Sequence, residues 1–389
     1  MDAANGRRRD GALAGVRIAD FSRVLAGPYA TMMLADLGAA VVKVERPGVG
    51  DETRSWVPPV DSAGTSTYFL GVNRNKRSVA LDLGVEADLA AARALAEDCD
   101  VVVENFRPGT MDRLGLGYER LREANPGLVY CSISGFGTAG GAAIPGYDLL
   151  VQAVGGLMSV TGEPGGQPLK AGVALVDVIT GLHAALGILA ALRHREATGE
   201  GQRVEVNLLS SLLSAMVNQA SGYAVAGAVP GRLGNAHPSI APYETFETAD
   251  RPIALAVGND RQFAELADAI GLPHLADDPR FRTNADRVAH RERLREILDG
   301  RLRTAGADVW SGVLLARGVP AGPVNALDEA FAFAAEIGLP AIVDIVAPDG
   351  PGPARQVANP IALSRTPASY RLPPPGLGEH TDHVLKETR

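Results

Sequence analysis

Between residues 16 and 133 the chain repeats one pattern: a short, almost unbroken apolar run, a break at Gly or Pro, then a stretch with helical spacing. Residues 16–21 (VRIADF), 40–45 (AVVKVE), 78–83, 100–104 and 128–133 have the length and Val/Ile content of strands. Residues 29–37 and the Ala/Leu-rich 85–99 lie between them as helices. Pro28 stands where a first helical turn tolerates the missing N–H, and Gly38 where helices stop. Strands apolar on both faces and separated by helices pair in parallel, because a parallel neighbour needs a crossover and the crossover helices then cover both faces. The pattern predicts a doubly wound parallel-sheet α/β domain.

The second half reads differently. A helix is predicted over 177–198, with Leu182, Leu186, Leu189 and Ala190 on one face, followed by a short strand over 202–206. Residues 208–226 contain no charge and read as one buried helix, with another subunit as a candidate cover. Beyond Gly231, residues 243–248 and 253–258 flank Ala249-Asp250-Arg251-Pro252 as an antiparallel hairpin, and helices follow at 262–270 and 287–304. These make a smaller α+β domain. Residues 340–375, rich in Pro and Gly, read as a long surface connection. At roughly 150 residues per domain, a length of 389 also argues for two or three domains.

Composition removes several classes. The charged residues, 37 Lys+Arg against 45 Asp+Glu, give a net charge of −8, which argues against general nucleic-acid binding. The longest apolar stretch, 182–192, is about half the roughly twenty residues that span a bilayer, so no membrane partner is expected. Arg7, Arg8 and Arg9 precede no apolar segment, so no signal peptide is expected. Two cysteines, Cys99 and Cys131, make no disulfide framework, and a reducing, cytoplasmic location is the expectation.

Gly135-Phe136-Gly137-Thr138-Ala139-Gly140 fits G-x-G-x-x-G after a predicted strand, but Gly141, Pro145 and Gly146 interrupt any helix there. A dinucleotide fingerprint needs that helix, so the run reads as a loop lining a crevice. Cations gather after the early strands: Lys43 and Arg46, then Arg74, Lys76 and Arg77, then Arg107 and Arg113. They suit either a solvated rim or a crevice that grips several phosphates. Asp177, at the head of the long helix, is either its N-cap or a nucleophile that the helix dipole keeps ionised. His380 and His383 have metal-ligand spacing but no Cys or third partner nearby, so no metal is expected.

Read in order, these motifs resemble the class III CoA-transferases, the group of formyl-CoA:oxalate and carnitine CoA-transferases, to which the α-methylacyl-CoA racemases are related. The resemblance rests on 20–28 (DFSRVLAGP), 36–39 (DLGA), 42–47 (VKVERP), 73–78 (NRNKRS), 104–109 (ENFRPG) and 146–148 (GYD). Asp177 with Thr180-Gly181, 199–202 (GEGQ) and 377–381 (LGEHT) complete it. It implies a homodimer of interlocked rings, with the large domain built from both ends of the chain. The expected division is 1–207 for its N-terminal part, 208–230 for a helical linker, 231–328 for the small domain, and 329–389 for the return linker and C-terminal part.

The resemblance also assigns roles. Asp177 matches the nucleophile that attacks an acyl-CoA thioester and passes through an anhydride and an aspartyl-CoA thioester. Val24, Leu25, Ala26, Arg46, Leu81, Asn105, Phe106, Arg113 and Tyr147 match CoA-contacting positions. No cofactor is held permanently; the CoA thioester is a substrate, with a free carboxylic acid as the second. The implied donor is succinyl-CoA or another dicarboxylyl-CoA. Two departures bear on specificity. Racemases carry a His where this chain has Tyr147, and a phenol, with an ordinary pKa of ~10, makes a poor base at neutral pH. The glycine run of formyl-CoA transferase is replaced by 234–238 (GNAHP), where His237 either meets the acceptor acid or caps a turn. A racemase or epimerase, and a CoA-binding protein without turnover, stand as alternatives; Tyr147 disfavours the first and an intact Asp177 the second.

Overall fold

The computed structural model describes residues 11–346 and 354–387, so Arg7, Arg8 and Arg9 lie outside the described residues. The chain divides into two units. The first is Met1–Leu157, Ala171–Ala226 and Pro340–Arg389, and the second is Met158–Lys170 and Gly227–Leu339. Residues 208–226 therefore belong to the first unit rather than to a linker, and residues 158–170 join the second.

The first unit is built on β1 (Arg17–Asp20), β2 (Ala40–Glu45), β3 (Lys76–Ala80), β4 (Val101–Glu104), β5 (Val129–Ser134) and β6 (Arg203–Asn207). They form one sheet in the order β3-β2-β1-β4-β5-β6, and every pairing is parallel. Its helices are α1 (Ala26–Asp36), α2 (Thr67–Leu70), α3 (Glu86–Glu97), α4 (Thr110–Arg113), α5 (Tyr118–Ala124) and α6 (Asp148–Val154). The short α7 (Leu157–Val160) lies mostly in the second unit, and α8 (Leu175–Thr198), α9 (Leu208–Ala215) and α10 (Val217–Ala226) complete the first.

Alternate residues of each strand feed different cores, which is why the strands read as apolar throughout. Val101 and Val103 pack with Leu34 of α1 and Ile188 and Leu192 of α8. Val102 points the other way and packs with Leu95 of α3 and Leu121 of α5. By length and composition α8 could cross a membrane, a longer apolar element than the 182–192 run suggests, but much of it lies in the core of this unit. Gly181 lets α8 approach α1 closely: a Cβ there would stand 2.6 Å from the carbonyl oxygen of Ala26.

The chain fills the sheet outward from β1 to β3, then returns to build β4, β5 and β6 on the other side. The loops after β1 and β4 consequently diverge and leave a crevice beyond the strand ends. At the outer edge, the C-terminal segment runs along β3. The Ala80 N–H donates to Thr381 Oγ1 at 3.0 Å, and the Gly378 N–H to Ser78 Oγ at 2.9 Å. It ends in the helix Thr381–Glu387.

The second unit has β7 (Tyr243–Phe246) and β8 (Ile253–Ala256) as the expected hairpin, extended by β9 (Ala321–Pro323) into an antiparallel sheet. Its helices are α11 (Asp260–Ala269), α12 (Asn284–Ala289), α13 (Arg291–Leu302), α14 (Ala307–Ala316) and α15 (Leu327–Glu336). Phe246, Leu255, Phe263, Leu298, Trp310 and Leu314 form its core. Back in the first unit, β10 (Ile342–Ile345) and β11 (Ala354–Val357) pair antiparallel inside the stretch read as a connection, and α16 spans Thr381–Glu387.

Two predicted helices are broken. Residues 208–226 bend at Val217, whose φ is +24°, and α10 buries none of its residues within the chain, which leaves the expected burial to another subunit. Residues 287–304 divide at His290, where ψ rises to 28°.

Candidate active site

The crevice is built from loops that follow parallel strands. β1 ends in Asp20, completely buried, which accepts hydrogen bonds from Ser22 Oγ and Thr31 Oγ1 and faces Lys76 Nζ at 3.1 Å. The chain then turns through Val24, whose φ of +68° a β-branched residue adopts only under constraint. That constraint is visible: the Val24 N–H donates to the Asp51 carboxylate at 3.2 Å, and Lys43 Nζ holds Asp51 at 2.9 Å. Helix α1 starts immediately afterwards, and a Cβ on Gly27 would collide with Ser22 at 2.2 Å.

Across the switch point, Asn105 clamps this loop to the end of β4. Its Oδ1 accepts the Arg23 N–H at 2.9 Å and its Nδ2 donates to the Arg23 carbonyl at 2.7 Å. The Arg23 guanidinium lies 5.0 Å from the Phe106 ring centroid and bonds Glu52 at 3.2 Å. Arg23, Glu52 and Phe106 are shared by two adjoining lobes. Arg46, Leu81, Leu83 and Gly84 line one, and Val24, Leu25, Ala26, Asn105, Tyr147 and Asp177 line the other.

Asp177 sits in the first turn of α8, but it is not the cap. Ala174 holds the N-cap position and offers no side-chain bond. The capping carboxylate comes from α6: Asp148 Oδ1 accepts the N–H of Val176 at 2.8 Å and of Asp177 at 3.3 Å. The helix dipole does not keep Asp177 strongly ionised either. Burial, and then the Asp148 charge, push its pKa up to about 7. This corrects the expectation of an ordinary anion, because desolvation and a like charge outweigh the dipole.

The glycine run has a packing role. A Cβ on Gly135 would lie 2.4 Å from the Cα of Gly146, so the two loops touch backbone to backbone on the crevice wall. No helix opens there before α6. Glu104, at the end of β4, accepts from Ser132 Oγ at 2.5 Å and from the Phe106 N–H at 2.8 Å; burial raises it to about 7.

The basic clusters divide. Lys43 and Lys76 are fully buried on Asp51 and Asp20, and Arg74 is buried against Asp36 at 2.6 Å. Arg77 pairs with Glu387 on α16. Those cations hold the scaffold, because a carboxylate already engages each of them, Lys43 included although it lines the first lobe. Arg46, Arg107 and Arg23 remain on its wall. Arg23 escaped the sequence reading although it stands inside the 20–28 motif. Arg113 lies outside the lining residues, exposed on α4, with its guanidinium bonded to the Gly109 carbonyl and Thr110 Oγ1. His237 belongs to the second unit, where its Nδ1 accepts the Ser239 N–H at 3.1 Å and so closes a turn. His380 faces the Ser78 N–H and His383 faces Glu387. No group of three metal-binding side chains occurs among the described residues.

A crevice at the switch point of a doubly wound sheet, walled by arginines and overlooked by one raised carboxylate, suits a phosphate-bearing ligand handled by an acidic side chain. Residues 13–381 match the model of CoA-transferase family III, and the chain belongs to that family. It is 46% identical to succinate–glutarate CoA-transferase of Agrobacterium fabrum, over 96% of this chain and 95% of that protein. Mouse succinyl-CoA:glutarate CoA-transferase is 42% identical, over 96% of this chain and 86% of that protein. A crystal structure of a CaiB/BaiF family protein from Brucella suis superposes with a TM-score of 0.87 at 40% identity, covering 98% of this chain and 100% of that one. The protein is a CoA-transferase, and CoA thioesters are its substrates.

Proposed function

We propose that the enzyme moves CoA from succinyl-CoA to a short dicarboxylic acid, with glutarate the first acceptor to test. Two relatives similar over nearly the whole chain are named for that pair, which supports the substrate class. The observation that carries the chemistry is the position of Asp177, a carboxylate on the wall of the same crevice as Val24, Leu25 and Ala26.

In the proposed reaction the ionised Asp177 carboxylate attacks the thioester carbonyl. The C–S bond breaks, CoA leaves as thiolate, and an acyl–aspartyl anhydride forms. The thiolate attacks the aspartyl carbonyl, expels succinate and leaves an aspartyl-CoA thioester. The acceptor carboxylate attacks that thioester, again releasing thiolate, which takes the acceptor's acyl group and frees Asp177. Splitting one exchange into such steps lowers each barrier. Main-chain groups at 24–26, with Leu81, Asn105, Phe106 and Tyr147, would hold the pantetheine and adenine parts, and Arg46 the phosphates.

The working form is proposed to be a cytoplasmic homodimer of interlocked rings. Leu182 and Leu186 on α8, Leu213 on α9, and Val217, Tyr223 and Val225 on α10 are exposed within one chain, which supports a partner there. Mixing differently tagged dimers and following hybrids by native mass spectrometry tests interlocking; rapid exchange excludes it.

The assay for function is mass spectrometry of succinyl-CoA incubated with a panel of carboxylic acids. Glutaryl-CoA with equimolar succinate is the expected product. Hydrolysis alone, or epimerised acyl-CoA without exchange, overturns the proposal.

A further inference from the structure

One fully buried polar side chain near the site has no part in the steps above. Gln152 lies one turn along α6 from Asp148, a spacing that stacks the two side chains on one helix face. Its Nε2 donates to Asp148 Oδ2 at 2.5 Å, and its Oε1 accepts the Ala171 N–H at 2.8 Å. The other Asp148 oxygen accepts the N–H groups at the head of α8. Ala171 is where the chain re-enters the first unit, a few residues before that helix.

We propose that Gln152 is a positioning residue for transfer: its amide bridges Asp148 to the lead-in of α8 and thereby sets where the Asp177 carboxylate stands. The inference rests on Asp177 as the nucleophile. The position demands a donor at one end and an acceptor at the other. An ionised carboxylate lacks the donor, and an aliphatic side chain lacks both. A buried amide with both ends bound also holds Asp148 in one rotamer, so its charge faces Asp177 from a fixed direction. Asp148 from α6 and Tyr68 from α2 interact with the Asp177 charge, Arg23, Glu52, Arg107 and Tyr147 line the same lobe, and the head of α1 presents Leu25 and Ala26.

Two variants of the full-length enzyme test this. Gln152→Leu removes both bonds at similar volume. The expected result is a kcat lower by about 10- to 100-fold, with the KM for acyl-CoA within about threefold, because displacement of a reacting group is felt in turnover. Gln152→Glu keeps the shape but adds a third acid to the cluster. The midpoint of Asp177 titration, read as the pH dependence of carbodiimide labelling by peptide mass spectrometry, should move upward. The acid limb of kcat/KM should follow it. Wild-type turnover in Gln152→Leu, or a labelling midpoint in Gln152→Glu that coincides with wild type, overturns the proposal. The second outcome does so even if activity falls, since a purely structural role would lower activity without moving Asp177. Labelling needs no turnover: a shifted midpoint in an enzyme that moves no CoA from succinyl-CoA to a dicarboxylic acid would leave this inference standing and sink the proposed substrate pair alone.

Discussion

Two sets of acids lie at the same end of the sheet, one fully buried and one half-buried, and they behave in opposite ways. Under the β1 and β2 loops, burial pushes Asp20, Glu45 and Asp51 upward, but cations more than compensate. Lys76 and Lys43 hold Asp20 below the usual carboxylate range, Arg54 does the same for Glu45, and Lys43 for Asp51. At the head of α8, Asp177 has an acid for a neighbour, and burial with that like charge carries it to about 7. Paired acids keep the strained Val24 loop in place, whereas the raised one is poised to change protonation near neutral pH. Burial alone does not mark a catalytic carboxylate; the sign of its neighbours does.

The largest test removes the raised acid. Asp177→Ala should lower transfer by about 10⁴-fold or more, with the fold and CoA binding retained; steady-state assays and calorimetry read both. Retention of more than about a hundredth of wild-type transfer excludes covalent catalysis at this residue. Breaking the paired set should do the reverse, harming stability first. Lys76→Met leaves Asp20 buried without its closest cation and should cost about 3–5 kcal/mol in urea unfolding. A stable Lys76→Met protein would mean that Lys43 alone satisfies Asp20.

The comparison can also be read by titration. Because the ionised form of Asp177 is the nucleophile, kcat/KM should fall about tenfold per pH unit below about 7 and level off above it. Asp148→Asn takes away the like charge and should shift that midpoint downward, with burial still holding it above an ordinary aspartate. Stability has the opposite slope. Asp177 binds its proton more tightly folded than unfolded, so folding stability declines between about pH 4 and 7 on its account. Asp177→Asn should therefore gain about 1–2 kcal/mol at pH 8 over wild type and little at pH 4. The smallest effect separates two arginines: Arg46→Ala should raise the KM for acyl-CoA about three- to tenfold, and Arg113→Ala less than about twofold.

The sheet was legible because its signal is local. Residues 40–45 announce β2 to the residue, and the loss of period-two alternation announces helices on both faces. The order of the strands was not, since nothing within 16–133 records that the chain turns back after β3. Ala321-Gly322-Pro323 pairs as β9 with neither strand composition nor length. The breaks at Val217 and His290 fall within sequence that continues the pattern on both sides. Asp177 could be named, but its two readings stayed open because the decisive partner, Asp148, lies 29 residues away on another helix. The clustered cations misled for a related reason. Spacing shows that Lys43, Arg74 and Lys76 end near one edge, and says nothing of the acids waiting beneath them.

The strap along β3 bears on how the protein is made. The Ser78 N–H meets His380 across 302 positions of chain. At ribosomal speeds of about 5–20 residues per second, that separation amounts to about 15–60 s of synthesis. For that interval the outermost strand offers open N–H and C=O groups beside a growing polypeptide, a template on which neighbouring nascent chains can add strands. A cell producing this enzyme on crowded polysomes must shield that edge until residues 378–381 emerge, and their arrival ends the strand's exposure as a template for aggregation.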